Sequence, residues 1–379
     1  MVKVTEAFEL VKDDGYCLWV GNGVSMYLAA ADGGPHVTPT WLELARQLER
    51  DADLTPLKDC QELPDRLERI HRARGFEWFQ AKLREKLLHK LAVSIFGRTL
   101  DLCKTSRSAV PQQARRLACL GQLANPIVNF NLETLTSLAV SRAGGPCSIK
   151  YFAHAKPTEL DANQISRSDW GEATYRRHIY HPHGALNGSG ICVMTGTEYR
   201  SQRSTLAFQM AVHSAFMSHL VIVGMSLNDA YLRGQITKFR QQIRKIIWFQ
   251  ADTNPELLDW ACCAGIDVVT VEWPDFWQQL DKCLPPPDQT EALAGWEAVM
   301  TEAWCTLHGG SIIEIKRFIE AVTNGYAPDS VRDSWKATAG ERGESLEEGP
   351  KEQFNAEDLQ IILRSIASER RSLMERFVE

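Results

Sequence analysis

The sequence predicts an α/β protein: a doubly wound, mainly parallel sheet with an all-helical insertion and a helical C-terminal extension. Three observations carry this. Apolar runs of strand length alternate with helical stretches, a glycine loop follows the first run, and three successive prolines close the alternating part.

The first run, Tyr16 to Val20, leads into Gly21-Asn22-Gly23-Val24-Ser25. Glycines there suit a turn of positive φ and let a pyrophosphate approach bare backbone amides. Further strand-like runs lie at 126–130, 190–194, 219–224, 245–250 and 266–271, with helices expected over 40–50, 132–142, 203–217, 229–243 and 255–264. Residues 55–122 break the alternation. There Leu63, Leu67 and Ile70, then Phe76, Phe79, Leu83, Leu87 and Leu91, follow helical spacing, so a helical insertion is expected over one edge of the site. Pro285-Pro286-Pro287 can continue neither helix nor central strand, which divides the chain into a body at 1–285 and a C-terminal region at 286–379. In that region 290–307 and 311–322 read as helices, and about 337–354 as a mobile linker too polar to bury a face. A last helix opens on the capping pair Asn355 and Asp358. Its apolar stripe (Leu359, Ile362, Leu363, Ile366, Leu373, Phe377) must be covered by the body or by another chain.

Composition narrows the class. Hydrophobic content of 44% with 24% charged residues is that of a soluble globular protein. None of the ten cysteines forms a Cys-x-x-Cys pair, which argues against a zinc knuckle or disulfide scaffold and for a reducing cytoplasm. No apolar signal core or membrane-length window is present. Of the net charge of −6, residues 286–379 carry −8 and the body +2, so no footprint for direct nucleic-acid binding exists.

Three fragments at strand ends could carry chemistry: residues 127–135 around Asn131, 179–186 around His183, and 221–229 with Gly224, Ser226 and Asp229. Each has a plainer reading. Asn131 could cap the helix expected from Leu132, His183 could be an ordinary strand-end histidine, and Gly224 with Ser226 a simple turn. His178, His181 and His183 invite a metal, with His181 and His183 on one face of an extended strand, but no carboxylate or cysteine lies close by in sequence, so no metal is expected. Lys238, Arg240, Arg244 and Lys245 read as a solvated helix end, and Arg66, Arg69, Arg72 and Arg74 as a solvent face. Cys262 and Cys263 read as small buried residues.

Taken together and in this order, the glycine loop and the three fragments resemble the sirtuin-like (SIR2) family, particularly its bacterial defence branch, over roughly residues 8–283. That family starts its Rossmann-like core with Gly-Ala-Gly-x-Ser, followed by Thr-x-Asn-Tyr-Asp, then His-Gly, then Gly-x-Ser-Leu-x-Asp. This chain departs from it at Asn22, Leu132 and Glu133, stretches the Gly-x-Pro approach to Pro39-Thr40-Trp41, and lacks the Phe-Arg pair of deacylating members. The resemblance implies NAD as substrate and cleavage of its nicotinamide–ribose bond. It assigns Gly21, Gly23 and Ser25 to the pyrophosphate and Gly224, Ser226 and Asp229 to the adenosine side. Asn131 would orient the ribose or a water, Glu133 a neighbour in the site, and His183, titrating near neutral pH, would be the general base. With no zinc-ribbon cysteines, water is the expected nucleophile, which makes an NAD glycohydrolase. The alternatives are an NAD-dependent protein deacylase and a non-catalytic NAD or ADP-ribose sensor. The resemblance further implies an NAD-depleting effector of anti-phage abortive infection. Such an effector would be a homo-oligomer, with a hexameric DNA-translocating ATPase or a short argonaute-type protein as possible partners.

Overall fold

The computed structural model describes residues 3–29, 39–57, 63–92, 94–95, 112–141, 143, 147–151, 177–186, 193–214, 216, 219–251, 254–285 and 288–308. Seven strands form one parallel sheet: β1 (Tyr16–Val20), β2 (Ala124–Asn129), β3 (Cys147–Tyr151), β4 (Arg177–His181), β5 (Leu220–Val223), β6 (Ile246–Gln250) and β7 (Asp267–Thr270). Their order is β3-β4-β2-β1-β5-β6-β7. The sheet is therefore Rossmann-like, as expected, and parallel at every pairing.

β1 shows why the sheet is doubly wound. Alternate side chains of a strand point to opposite faces, and here both faces are buried. Tyr16, Leu18 and Val20 enter one core with Phe8, Leu120, Val223 and Phe249. Cys17 and Trp19 enter the other with Tyr180, Phe208, Phe216 and Trp248. Val20 sits level with Asn129 of β2 on one side and Val223 of β5 on the other. The chain leaves β1 in opposite directions to reach these neighbours, so their carboxyl ends frame a crevice at the topological switch point.

Around the sheet lie α1 (Val4–Glu9), α2 (Asn22–Ala29), α3 (Trp41–Asp51), α4 (Leu63–Arg74), α5 (Phe76–Leu83) with a π-helical turn at Arg84–His89, and α6 (Gln112–Gln122). They continue as α7 (Leu135–Val140), α8 (Gly196–Arg203), α9 (Leu206–Ser214), α10 (Ala230–Phe239), α11 (Pro255–Cys263), α12 (Trp273–Cys283) and α13 (Gln289–His308). The described part of the insertion is helical apart from residues 55–57 and Gly75. No helix among the described residues is long and apolar enough to cross a membrane.

Several expectations need correction. β3 and β4 were not among the expected strands, because Ser148, Lys150, Arg177 and His178 interrupt their apolar pattern. Arg177 is buried all the same: its guanidinium donates to the carbonyls of Gly121, Val140 (3.1 Å) and Ser141 (3.4 Å), where α6 and α7 end. Of the run at 190–194, residues 190–192 lie outside the described residues and Val193 and Met194 are not strand. Of the helix expected over 203–217 the structure shows α9 at 206–214, preceded by the unexpected α8, and the helix expected from Leu132 begins only at Leu135.

Arg66 is not on a solvent face. It is fully buried and holds Glu49 with two bonds of 2.6 and 3.3 Å, tying α4 to α3. Arg240 folds back onto the carbonyls of Ile243, Ala264 and Gly265. Cys262 and Cys263 are exposed, on the outer side of α11. Beyond the prolines, α13 returns to the body. Trp296, Val299 and Ala303 join the same core as β1, and a Cβ on Gly295 would stand 2.6 Å from the Ala139 carbonyl. The expected helix at 311–322, the linker and the last helix lie outside the described residues.

Candidate active site

The strand ends at the switch point are locked by glycines. β1 passes straight into α2, and neither Gly21 nor Gly23 uses a positive φ, contrary to the turn expected there. Close approach is what requires them. A Cβ on Gly21 would lie 2.3 Å from the Gly224 carbonyl oxygen, and one on Gly23 2.9 Å from the Trp273 ring. Gly224 itself has φ +71°, and its Cβ would meet the Val24 nitrogen at 2.7 Å. The amides of Gly21 and Gly23 donate to Val223 and Gly224 carbonyls at 3.0 and 3.1 Å, so neither presents a bare N–H to a ligand. Ser25 faces inward.

Ser25, Asn131 and Glu133 form one buried network. Asn131, 2% exposed, spends both amide hydrogens: one on the Gly21 carbonyl (3.1 Å), one on Ser25 Oγ (2.8 Å). It caps no helix; its Oδ1 is left as the acceptor. Ser25 donates to Glu133 Oε1 and lies 2.9 Å from Thr136 Oγ1, while Glu133 Oε2 accepts the Leu135 amide at 2.6 Å. Complete burial raises the Glu133 pKa, against the lowering effect of these hydrogen bonds. A second relay holds the backbone beneath. Asn129 Nδ2 donates to Ser137 Oγ (2.8 Å), Ser137 donates to His181 Nε2 (2.8 Å), and His181 Nδ1 donates to the Asn131 carbonyl (3.4 Å). These directions follow because a carbonyl can only accept.

β4 ends at His181, and the chain turns at Pro182 and His183, so the two histidines do not share a strand face as expected. The Leu186 amide donates to the Leu132 carbonyl at 2.7 Å, holding this turn beside the end of β2. His183 is 7% exposed and boxed by rings, with centroids at 4.7 Å (Tyr199), 5.6 Å (Phe208) and 5.7 Å (Phe130). Burial lowers its pKa to about 4, outweighing Gln202 and Asp229. This departs from the expectation of a histidine titrating near neutrality: among the described residues no carboxylate touches the ring, and the aromatic box penalises its charged form. His181 is likewise lowered to about 4 by burial.

Asp229 is the N-cap of α10, accepting the Tyr231 and Leu232 amides at 2.8 and 3.3 Å. It also accepts from the Tyr199 hydroxyl and from Arg203 (2.9 Å), and Arg203 lies over the Tyr199 and Tyr231 rings. Ser226 is exposed and joins neither network. Sequence reasoning missed α8, which supplies Tyr199, Gln202 and Arg203. A readable signal existed: Thr195 and Glu198 form a capping box at its start. The insertion braces the same helix, since Glu68 of α4 accepts the Thr197 amide (2.9 Å) and hydroxyl (2.8 Å). Among the described residues no group of three His, Cys, Asp or Glu side chains is placed to hold a metal.

Residues 126–262 match the SIR2-like domain family. The matched stretch holds Asn131, Glu133, His183, Gly224, Ser226 and Asp229; the Gly21–Ser25 segment precedes it. No curated protein matches the chain.

Proposed function

We propose that this chain, whose residues 126–262 match the SIR2-like domain family, binds NAD and is an NAD glycohydrolase. The observation that carries the proposal is the pairing of a pre-oriented Asn131 amide with an uncharged His183 at one switch point. The residues suit a dinucleotide. The glycines allow the turn after β1 to close on β5, and the N-terminus of α2 offers its dipole to a diphosphate. Asn131 Oδ1 accepts a hydrogen bond from a ribose hydroxyl or from water, while its amide hydrogens stay with Gly21 and Ser25. Glu133 holds Ser25, and so holds Asn131. His183 takes the proton of the attacking water as its oxygen bonds to the ribose carbon and nicotinamide leaves with the bond's electron pair. The ten cysteines without a paired spacing, and the absent Phe-Arg pair, favour water over an acyl-lysine oxygen.

Incubation with NAD should release nicotinamide and ADP-ribose without any acylated peptide. Asn131→Ala and His183→Ala should each lower turnover by about 10²–10⁴-fold in folded protein. Product formed only when acetylated peptide is supplied would replace this reading with deacylation. Binding of NAD without turnover under any condition would replace it with a sensor. We further propose a cytoplasmic role as an NAD-depleting anti-phage effector, acting as a homo-oligomer and gated by assembly or by a partner protein. The supporting feature is the acidic region after residue 286, which none of the site residues comes from.

A further inference from the structure

Gln202 has no place in the motif pattern, yet it is the side chain that holds His183. It lies on the buried face of α8, 1% exposed. Chemistry alone orients its amide. The Pro182 carbonyl can only accept, so Gln202 Nε2 faces it and Oε1 is turned to His183. The reversed amide would set two carbonyl oxygens against each other. Oε1 can only accept as well, so His183 Nδ1 carries the ring hydrogen across 2.9 Å. The neutral ring then has one bare nitrogen, Nε2, which makes no hydrogen bond among the described residues.

We propose that Gln202 is a positioning residue: it selects the Nδ1–H tautomer of His183 and keeps Nε2 as the proton acceptor. The proposal rests on reading His183 as the base of the hydrolysis. A neutral histidine side chain free in water favours the opposite, Nε2–H form, which would present a donor where an acceptor is needed. An amide corrects the tautomer without adding charge. The charged and titratable neighbours do not compete for Nδ1. Asp229 accepts from Tyr199 and Arg203, and the Tyr199 hydroxyl is spent on Asp229 while its ring packs on the imidazole.

The test is nitrogen NMR on the full chain carrying ¹⁵N-histidine, with the His183 signals assigned by their loss in His183→Gln. At neutral pH the wild-type ring should show a protonated Nδ1 and a bare Nε2. Gln202→Leu should move the hydrogen to Nε2 and lower kcat by about 10²-fold with KM little changed. Gln202→Glu should retain the Nδ1 hydrogen and raise the midpoint of His183, moving the acid limb of the kcat profile upward. A wild-type ring protonated at Nε2 overturns the proposal and needs no variant to fold. So does a Gln202→Leu ring that still holds its hydrogen on Nδ1, or one that changes tautomer with kcat intact. The expected spectra without NAD hydrolysis would support the pairing and overturn the glycohydrolase reading instead.

Discussion

His181 and His183 sit two residues apart, and both are kept uncharged by burial, but they serve different ends. His183 keeps one nitrogen without a hydrogen bond among the described residues; His181 spends both of its nitrogens, one on Ser137 and one on the Asn131 carbonyl. Their lowered pKa values, about 4 in each case, make folding sensitive to acid. The unfolded chain binds these protons near pH 6.5 and the folded chain does not, so stability is full above that pH and falls as pH drops toward 4. Each histidine should remove about 2 kcal/mol between pH 6.5 and 5. Glu133 acts the other way, since its raised pKa favours the folded state in acid. Urea denaturation at pH 7 and pH 5 measures the sum, and His181→Gln should flatten the slope by about one proton. An unchanged slope would mean that His181 is charged in the folded protein.

The turns at the carboxyl ends of β1 and β5 are one interlocked unit, and only glycine fits its two sides. Gly224 combines a left-handed backbone with a contact that an added methyl cannot avoid, because the opposing atoms are the Val24 nitrogen and the Gly21 oxygen. Gly224→Ala should therefore cost about 1–3 kcal/mol, more than helix or strand propensity accounts for. Gly234, on α10 with open space around its position, provides the control. There the same substitution should stabilise by about 1 kcal/mol. Denaturation midpoints of the two variants check this; equal shifts would show that the close approach of the turns does not matter.

α13 belongs to the folded body, although three prolines precede it. Trp296 and Val299 are buried against the core that includes β1, so the helix cannot be removed without exposing that core. A chain ending at residue 308 should unfold cooperatively and still cleave NAD, whereas one ending at 285 should lose about 3–5 kcal/mol from Trp296 burial alone. Sedimentation of the 308-residue form also tests assembly: the proposed oligomer should become smaller when residues 309–379 are absent. Unchanged size with unchanged cleavage would remove those residues from both assembly and control.

The alternation of the sheet was legible in the chain because strand periodicity and the chemistry of strand-end turns are local. The runs at β1, β2, β5, β6 and β7, and the motif order of Gly21, Asn131, His183 and Gly224, could be read in the sequence. Distance along the chain hid the rest. Arg177 and Arg66 look like solvent residues until folding brings carbonyls and a carboxylate to them, and β3 and β4 look broken for the same reason. Gln202 carries no mark of its role in sequence, because that role exists only once α8 lies over the turn after β4. The burial that favours an uncharged His183 comes from three rings, Phe130, Tyr199 and Phe208, that lie far apart in sequence from the histidine or from one another. Sequence by itself determined which groups could do the chemistry. Tertiary structure decided their hydrogens, because a proton's place depends on the partner that folding brings to it.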